Sequence, residues 1–260
     1  MIIRRIIESL RAQDFTIVAI ELFVVIFGVF IGIQFSNWND ARMDAARAHS
    51  YFERIHADLG ADILNYHDRM EFWEDVSEYG AQGLKYVRTG ELGDLAEWDL
   101  LLAYFQASQI GEFYTTQTTY DELKSGGELG LISDLELRNS LAYYYTNADN
   151  PVLTERPVYR EHVRGKIPFE IQNYIWEDCY ASNEFGGQDF LDCKAPVDVK
   201  EAARLVAAIS GDEQLMSELR YWMSTMRVAL FIGRDRTAYA TRLRDSLDTR
   251  IDGVSAIENP

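Results

Sequence analysis

Glu53 and His56 stand in a Glu-x-x-His spacing, which on a helix puts both side chains on one face, as in di-iron bundles. A di-iron centre needs a second copy, and Glu161-His162 has the wrong spacing. Glu53 and His56 are therefore weak metal candidates, and neither a metal nor another cofactor is expected. Lys124-Ser125-Gly126-Gly127 sets a cation beside a glycine turn that could hold an anion at the start of the next helix. It lacks the G-x-x-x-x-G-K-[ST] order, so it reads as a helix end followed by a turn. Cys179 and Cys193 are the two cysteines of the chain and bracket the loop YASNEFGGQDFLD. In an oxidising compartment they would form one disulfide, contributing about 3 kcal/mol through loop closure. In a reducing compartment they would be two buried thiols. Zinc is excluded by the absence of a C-x-x-C pair and of any nearby histidine. No Ser/His/Asp or Cys/His set is present, so no catalytic residue is assigned and a non-enzymatic protein is expected.

The remaining chemistry-bearing residue, Glu21, lies in an apolar run. Residues 16–35 read TIVAIELFVVIFGVFIGIQF, and 14 of these 20 are Ile, Leu, Val or Phe. At 1.5 Å per residue the run spans roughly 30 Å, the thickness of bilayer hydrocarbon. Fourteen such residues favour insertion by about 6 kcal/mol in sum, against roughly 3 kcal/mol for one carboxylate, so insertion wins. A cleaved signal peptide would have a shorter core and a small-residue cleavage site. Here the run ends in Gln34, Phe35, Ser36, Asn37 and Trp38, with no such site, which favours an uncleaved anchor. At about 100° per residue Glu21, Val25, Gly28 and Gly32 share one helical face, and the glycines form a GxxxG pattern. A carboxyl group there should face protein or water, which suits a self-associating helix; the other reading is that Glu21 snorkels to the nearby interface.

Arg4, Arg5 and Arg11 precede the span, against Arg42 and Arg47 just beyond it. This bias places the N-terminus in the cytoplasm and Trp38 in the outer interfacial belt. The expected organisation is a cytoplasmic segment 1–15, a transmembrane helix 16–36 and a periplasmic domain 37–260. The net charge of −17, from 42 acidic and 25 basic residues, excludes nucleic-acid binding and argues against a domain lying on anionic lipid.

The elements that follow read as helical. His49, Phe52, His56, Leu59, Ile63, Tyr66, Met70 and Trp73 recur at three- and four-residue steps, predicting a helix that leaves the bilayer and reaches about Gly80. Further helices are predicted at 95–108, 118–125, 134–146, 152–176, 197–209 and 212–251. Ser133-Asp134 and Asp198 are read as N-caps, and Gly126-Gly127 and Asn150-Pro151 as terminators. The last helix carries Leu215, Leu219, Trp222, Met226, Ala229, Gly233, Ala240, Leu243 and Leu247 near one stripe, and is long enough to run antiparallel to the first. Strand alternation is nearly absent. The fold class is all-α: one transmembrane helix continuing into a periplasmic helical bundle.

The block IELFVVIFGVFIGIQFSNWNDAR resembles the N-terminal signature of an uncharacterised bacterial family of single-pass inner-membrane proteins, through Glu21, Gln34, Asn37, Trp38 and Asn39. The block TTYDELKSGGELGLISDLELRNSLAYYY is similar to that family's second signature, through Leu123, Lys124, Ser125, Gly127, Leu131, Ile132 and Tyr144. Ala19-Ile20 departs from it, a glycine being usual before the glutamate. The resemblance implies topology and no activity. The function expected is a membrane-anchored periplasmic protein that forms homo-oligomers through its anchor and binds an unidentified partner or ligand. The alternative is an accessory subunit of an ion-coupled membrane complex that uses Glu21, and behind it stands a metal-dependent enzyme built on Glu53 and His56.

Overall fold

Three- and four-residue apolar spacing dominates the chain, and the computed structural model, which describes residues 4, 15–147, 150–182 and 187–258, is all-α. Eight α-helices lie among the described residues: α1 (Phe15–Thr89), α2 (Glu97–Gln106), α3 (Thr118–Ser125), α4 (Leu135–Thr146), α5 (Val158–Lys166), α6 (Phe169–Asp178), α7 (Val199–Ser210) and α8 (Glu213–Glu258).

The 75 residues of α1 form one helix, longer than the pattern predicted, because nothing breaks it before Gly90. Gly90 ends it with φ +72° and an N–H to the Tyr86 carbonyl; a side chain is disfavoured in that left-handed conformation. The predicted seam is partly displaced. Leu59, Tyr66 and Trp73 are buried as expected, but the remaining buried positions are Ala48, Tyr51, Ile55, Asp62, Phe72, Val76, Gly80 and Gly83, with Arg69. Phe52, His56, Ile63 and Met70 flank that stripe. The polar side chains in the stripe hid its true centre.

α8 runs antiparallel to α1. Gly80 of α1 faces Met223 of α8, Gly233 faces Met70, and His56 meets Asp248. All nine residues of the predicted α8 stripe are buried. A Cβ at Gly80 would stand 2.0 Å from the Met223 sulfur, and one at Gly233 would stand 2.9 Å from Met70 Cγ. Glycine at these two sites is what lets the long helices approach.

Two apolar cores lie along this pair. The one nearer the N-terminal run joins Tyr51, Ile55 and Leu59 to α3, α4 and the end of α8. The far one joins Phe72, Trp73 and Val76 to α2, α5, α6, α7 and the start of α8. Asp134 and Asp198 cap α4 and α7 as predicted, accepting from Leu137 N at 3.1 Å and Glu201 N at 2.9 Å.

The predicted helix 152–176 is not one helix. A 3-10 turn (Pro151–Thr154), α5 and α6 replace it, with breaks at Pro157 and Pro168. Proline lacks an N–H and pushes the preceding residue to extended backbone, and Ile167 has φ −98°, ψ 125°. A two-stranded antiparallel hairpin, β1 (Tyr180–Ser182) and β2 (Gln188–Phe190), forms within the cysteine-bracketed loop.

Candidate functional site

The first helical run of α1 is apolar on every side. Ile20, Leu22, Phe23, Val24, Ile26, Phe27, Val29, Phe30, Ile31 and Ile33 are all exposed, and nothing lies within 4 Å of a Cβ built at Gly28 or Gly32. This segment is long and apolar enough to cross a membrane. A helix that is hydrophobic all round belongs in a core or in lipid, and the described residues supply no core here. Val25 is exposed, while Glu21 is half-buried with its Oε2 enclosed and without a hydrogen-bond partner among the described residues. At about 100° per residue the face of Glu21, Val25, Gly28 and Gly32 continues along α1 as Met43, Ala57, Ala61 and Leu64. All four are exposed, on a side of α1 turned away from α8. Trp38 is exposed, one turn past the run, with its ring 5.9 Å from Phe35. Of the segment 1–15, residues 5–14 lie outside the described residues, including Arg5 and Arg11.

Cys179 and Cys193 are joined in a disulfide. It clamps the base of the β-hairpin, and both cysteine carbonyls are held from the core: Gln106 Nε2 donates to Cys179 O at 3.2 Å, and Trp98 Nε1 to Cys193 O at 3.3 Å. Phe190 of β2 stacks on Phe72, with ring centroids 5.0 Å apart. Residues 183–186, at the hairpin turn, lie outside the described residues.

Glu53 and His56 do not converge. His56 Nε2 is 2.8 Å from Asp248 Oδ1, whereas Glu53 lies 3.8 Å from His49. No group of three metal-ligating side chains occurs among the described residues. The Lys124–Gly127 turn serves as a dock. Glu122 binds Arg54, Glu128 binds Arg47 at 2.6 Å, and Tyr51 donates to Glu128 Oε2 at 2.7 Å. That carboxylate pushes the Tyr51 hydroxyl up to about 12. Gly127 supplies the turn at φ +71°, and Lys124 and Ser125 point to solvent.

No family model, curated protein or solved structure matches this chain. Functional inference therefore rests on its own side chains.

One group escaped the sequence reading. Asp62, fully buried on α1, accepts from Thr116 N at 2.8 Å and from the Tyr144 hydroxyl at 2.8 Å. Tyr120 stacks on Tyr145 at 4.4 Å beside them, and Tyr145 OH and Asp58 Oδ2 are enclosed without partners among the described residues. Of the tyrosine triplet, Tyr144 and Tyr145 face this core and Tyr143 is exposed. Burial, reinforced by Asp58, raises the Asp62 pKa, while the Thr116 and Tyr144 hydrogen bonds oppose the rise. The signal was a carboxylate between Leu59 and Tyr66 at core spacing.

The sign of its effect follows. A folded-state pKa above the unfolded value means no penalty below the ordinary Asp range, about 3.9, and a growing penalty as pH rises through the folded pKa. Asp62→Asn, whose amide oxygen can keep the Thr116 hydrogen bond while its N–H donates to the Tyr144 oxygen in place of accepting from it, is expected to be more stable than the parent at pH 8, with the advantage shrinking on acidification toward pH 4. Thermal unfolding across that range reads it; a difference that stays flat with pH would contradict the assignment.

An open groove of about 350 Å³ lies between α4 and α8, lined by Asp134, Ser140, Tyr239, Arg242 and Arg250. Of its charged groups, Arg250 is paired with Asp134, and Arg242 stacks on Tyr239 at 5.4 Å.

Proposed function

We propose that this protein is a single-pass bacterial inner-membrane protein, N-terminus cytoplasmic, whose anchor self-associates and holds a non-enzymatic periplasmic helical domain out to meet a partner or ligand. The observation that carries this reading is the uncovered face of α1. Gly28 and Gly32 have no cover from the described residues, Glu21 is half-buried with its Oε2 unpartnered among them, and Met43, Ala57, Ala61 and Leu64 on the same phase are exposed. Close approach at glycines and hydrogen bonding of one carboxyl to its counterpart are what drives helix association in lipid. The disulfide suits an oxidising compartment. The continuity of the apolar run with the domain's central helix supports retention of the anchor. The resemblance to uncharacterised inner-membrane proteins agrees with the topology.

Cross-linking and sedimentation of the full-length protein in detergent or nanodiscs test it. Wild type is expected to be oligomeric. Gly28→Leu with Gly32→Leu should shift it to monomer, and Glu21→Ala should weaken association about tenfold, the size of one intramembrane hydrogen bond, while Glu21→Gln, which still hydrogen-bonds, should weaken it less. A monomeric wild type at all concentrations would sink the proposal. The enclosed, partnerless Oε2 of Glu21 also supports a second reading, an accessory subunit of an ion-coupled complex. That reading requires Glu21→Gln to abolish a coupled transport phenotype while leaving assembly intact.

A further inference from the structure

In a domain rich in carboxylates, two arginines are held side by side without one. Arg160 and Arg164 sit four residues apart on α5 and so share one face of it. Their hydrogen bonds among the described residues run to neutral oxygens. Arg160 Nη1 donates to Ser108 O at 2.8 Å and to Gln109 Oε1 at 3.3 Å. Arg164 donates from Nε to Ser108 Oγ at 3.0 Å and from Nη2 to Gln109 Oε1 at 3.0 Å. The nearest acid, Glu112, is taken by Arg156 at 2.9 Å and by the Tyr114 hydroxyl at 2.9 Å.

These arginines are placed firmly. The Arg164 guanidinium lies 4.6 Å from the centre of the Phe105 ring and 5.1 Å from that of Trp176. Gln109, which accepts from both, donates in turn to Gln106, and Gln106 donates to the Cys179 carbonyl. Tyr180 lies within electrostatic reach of both arginines and of Arg69. Its hydroxyl accepts from Gln188 Nε2 at 2.5 Å, and Arg69 donates to Gln188 Oε1 at 2.7 Å. The loop after α2, α5, α6 and the disulfide hairpin thus converge on one cationic spot.

Burial lowers both arginine pKa values; repulsion from Arg156 adds to it at Arg160, where Glu112 opposes the fall, and repulsion from Arg160 adds to it at Arg164, which is brought down to about 9. Two cations half out of water, hydrogen-bonded among the described residues to neutral acceptors and reached by Glu112 only at a distance and only at Arg160, are an under-compensated charge. Both remain partly open to solvent, with N–H groups to spare. An incoming anion therefore needs no competing carboxylate to leave, and paired guanidinium forks match the oxygens of phosphate and carboxylate groups.

We propose that Arg160 and Arg164, backed by Tyr180 and the Trp176 ring, form a binding site for a small oxyanion, a phosphate or a carboxylate-bearing solute. This supplies the ligand class for the domain function above and rests on that reading only in needing the domain exposed to solute; it does not depend on self-association.

The test is a titration of the full-length protein in detergent at pH 7, with inorganic phosphate, sulfate and succinate, each at constant ionic strength set by sodium chloride. Tryptophan fluorescence, sensitive to Trp176 under Arg164, and the thermal midpoint are the readouts. Saturable binding is expected, with phosphate and succinate separating the two sources of oxyanion. Arg160→Gln and Arg164→Gln should each weaken it about tenfold, the loss of one charge-assisted contact. Arg204→Gln, on an exposed ion pair with Glu201 outside the site, should change it less than about twofold. Arg164→Lys, which keeps a charge without the fork, should fall between these and guards against loss of fold in the glutamine variants. No response to any of the three anions, or an equal response to added chloride, overturns the proposal. An unchanged affinity in both glutamine variants overturns it too. Oligomeric state is read by cross-linking, so failure here and failure of the anchor reading are distinguishable.

Discussion

Trp222→Ala is expected to destabilise the domain by about 3–5 kcal/mol, the range for removing a fully enclosed tryptophan. Trp222 is 1 % exposed, in the far core where α8 meets α1 and α2. Its indole N–H donates to the Ala107 carbonyl at 2.9 Å, the point where the chain leaves α2. Truncation opens a cavity and also strands that carbonyl away from water, which adds to the cost. The neighbouring Tyr221 is 64 % exposed. Tyr221→Ala should therefore change stability by less than about 0.5 kcal/mol, as for other surface positions. Paired denaturant melts of the two variants check the prediction. Equal losses would mean that α8 is not packed in this orientation.

The second large effect concerns the disulfide. Replacing both Cys179 and Cys193 by alanine, or reducing the wild type, should cost about 3 kcal/mol, the value for a closed loop of this length. The bridge spans 14 positions and clamps strands of three residues each. A two-stranded hairpin of that size is marginal alone. Its loss would release Phe190 from Phe72 and Tyr79, and Gln188 from Arg69. Because the hairpin contributes few backbone hydrogen bonds, far-UV circular dichroism should stay helical while the melting midpoint falls. A midpoint insensitive to reductant would show that the helices alone hold the loop.

What the sequence disclosed and what it hid divide along physical lines. The stripe from Leu215 to Leu247 was legible because apolar residues at helical spacing have one stable use, burial against a partner. The caps at Asp134 and Asp198 were legible because a short carboxylate before a helix has few other roles. The breaks at Pro157 and Pro168 could have been read but were overridden by apolar periodicity across them; in the fold the proline chemistry wins. The hairpin at Tyr180 and Phe190 is too short for alternation to register. Asp62 and the Arg160–Arg164 pair were hidden for a different reason. Their partners, Thr116, Tyr144, Ser108 and Gln109, lie 51 to 82 positions away. Glu53 and His56, by contrast, looked like a pair by spacing, yet α8 draws His56 to Asp248.

The unbroken course of α1 also sets a scale. Helical rise puts Asp62 about 40 Å, and Thr89 about 80 Å, along the axis from Phe35, where the apolar run ends. With no hinge between them, height and azimuth are not independent variables: turning the apolar run about its axis turns the domain's faces through the same angle. Were two copies of the apolar run to mesh at Gly28, as proposed, a change in that contact would be delivered tens of ångströms away as rotation, the motion a continuous shaft transmits.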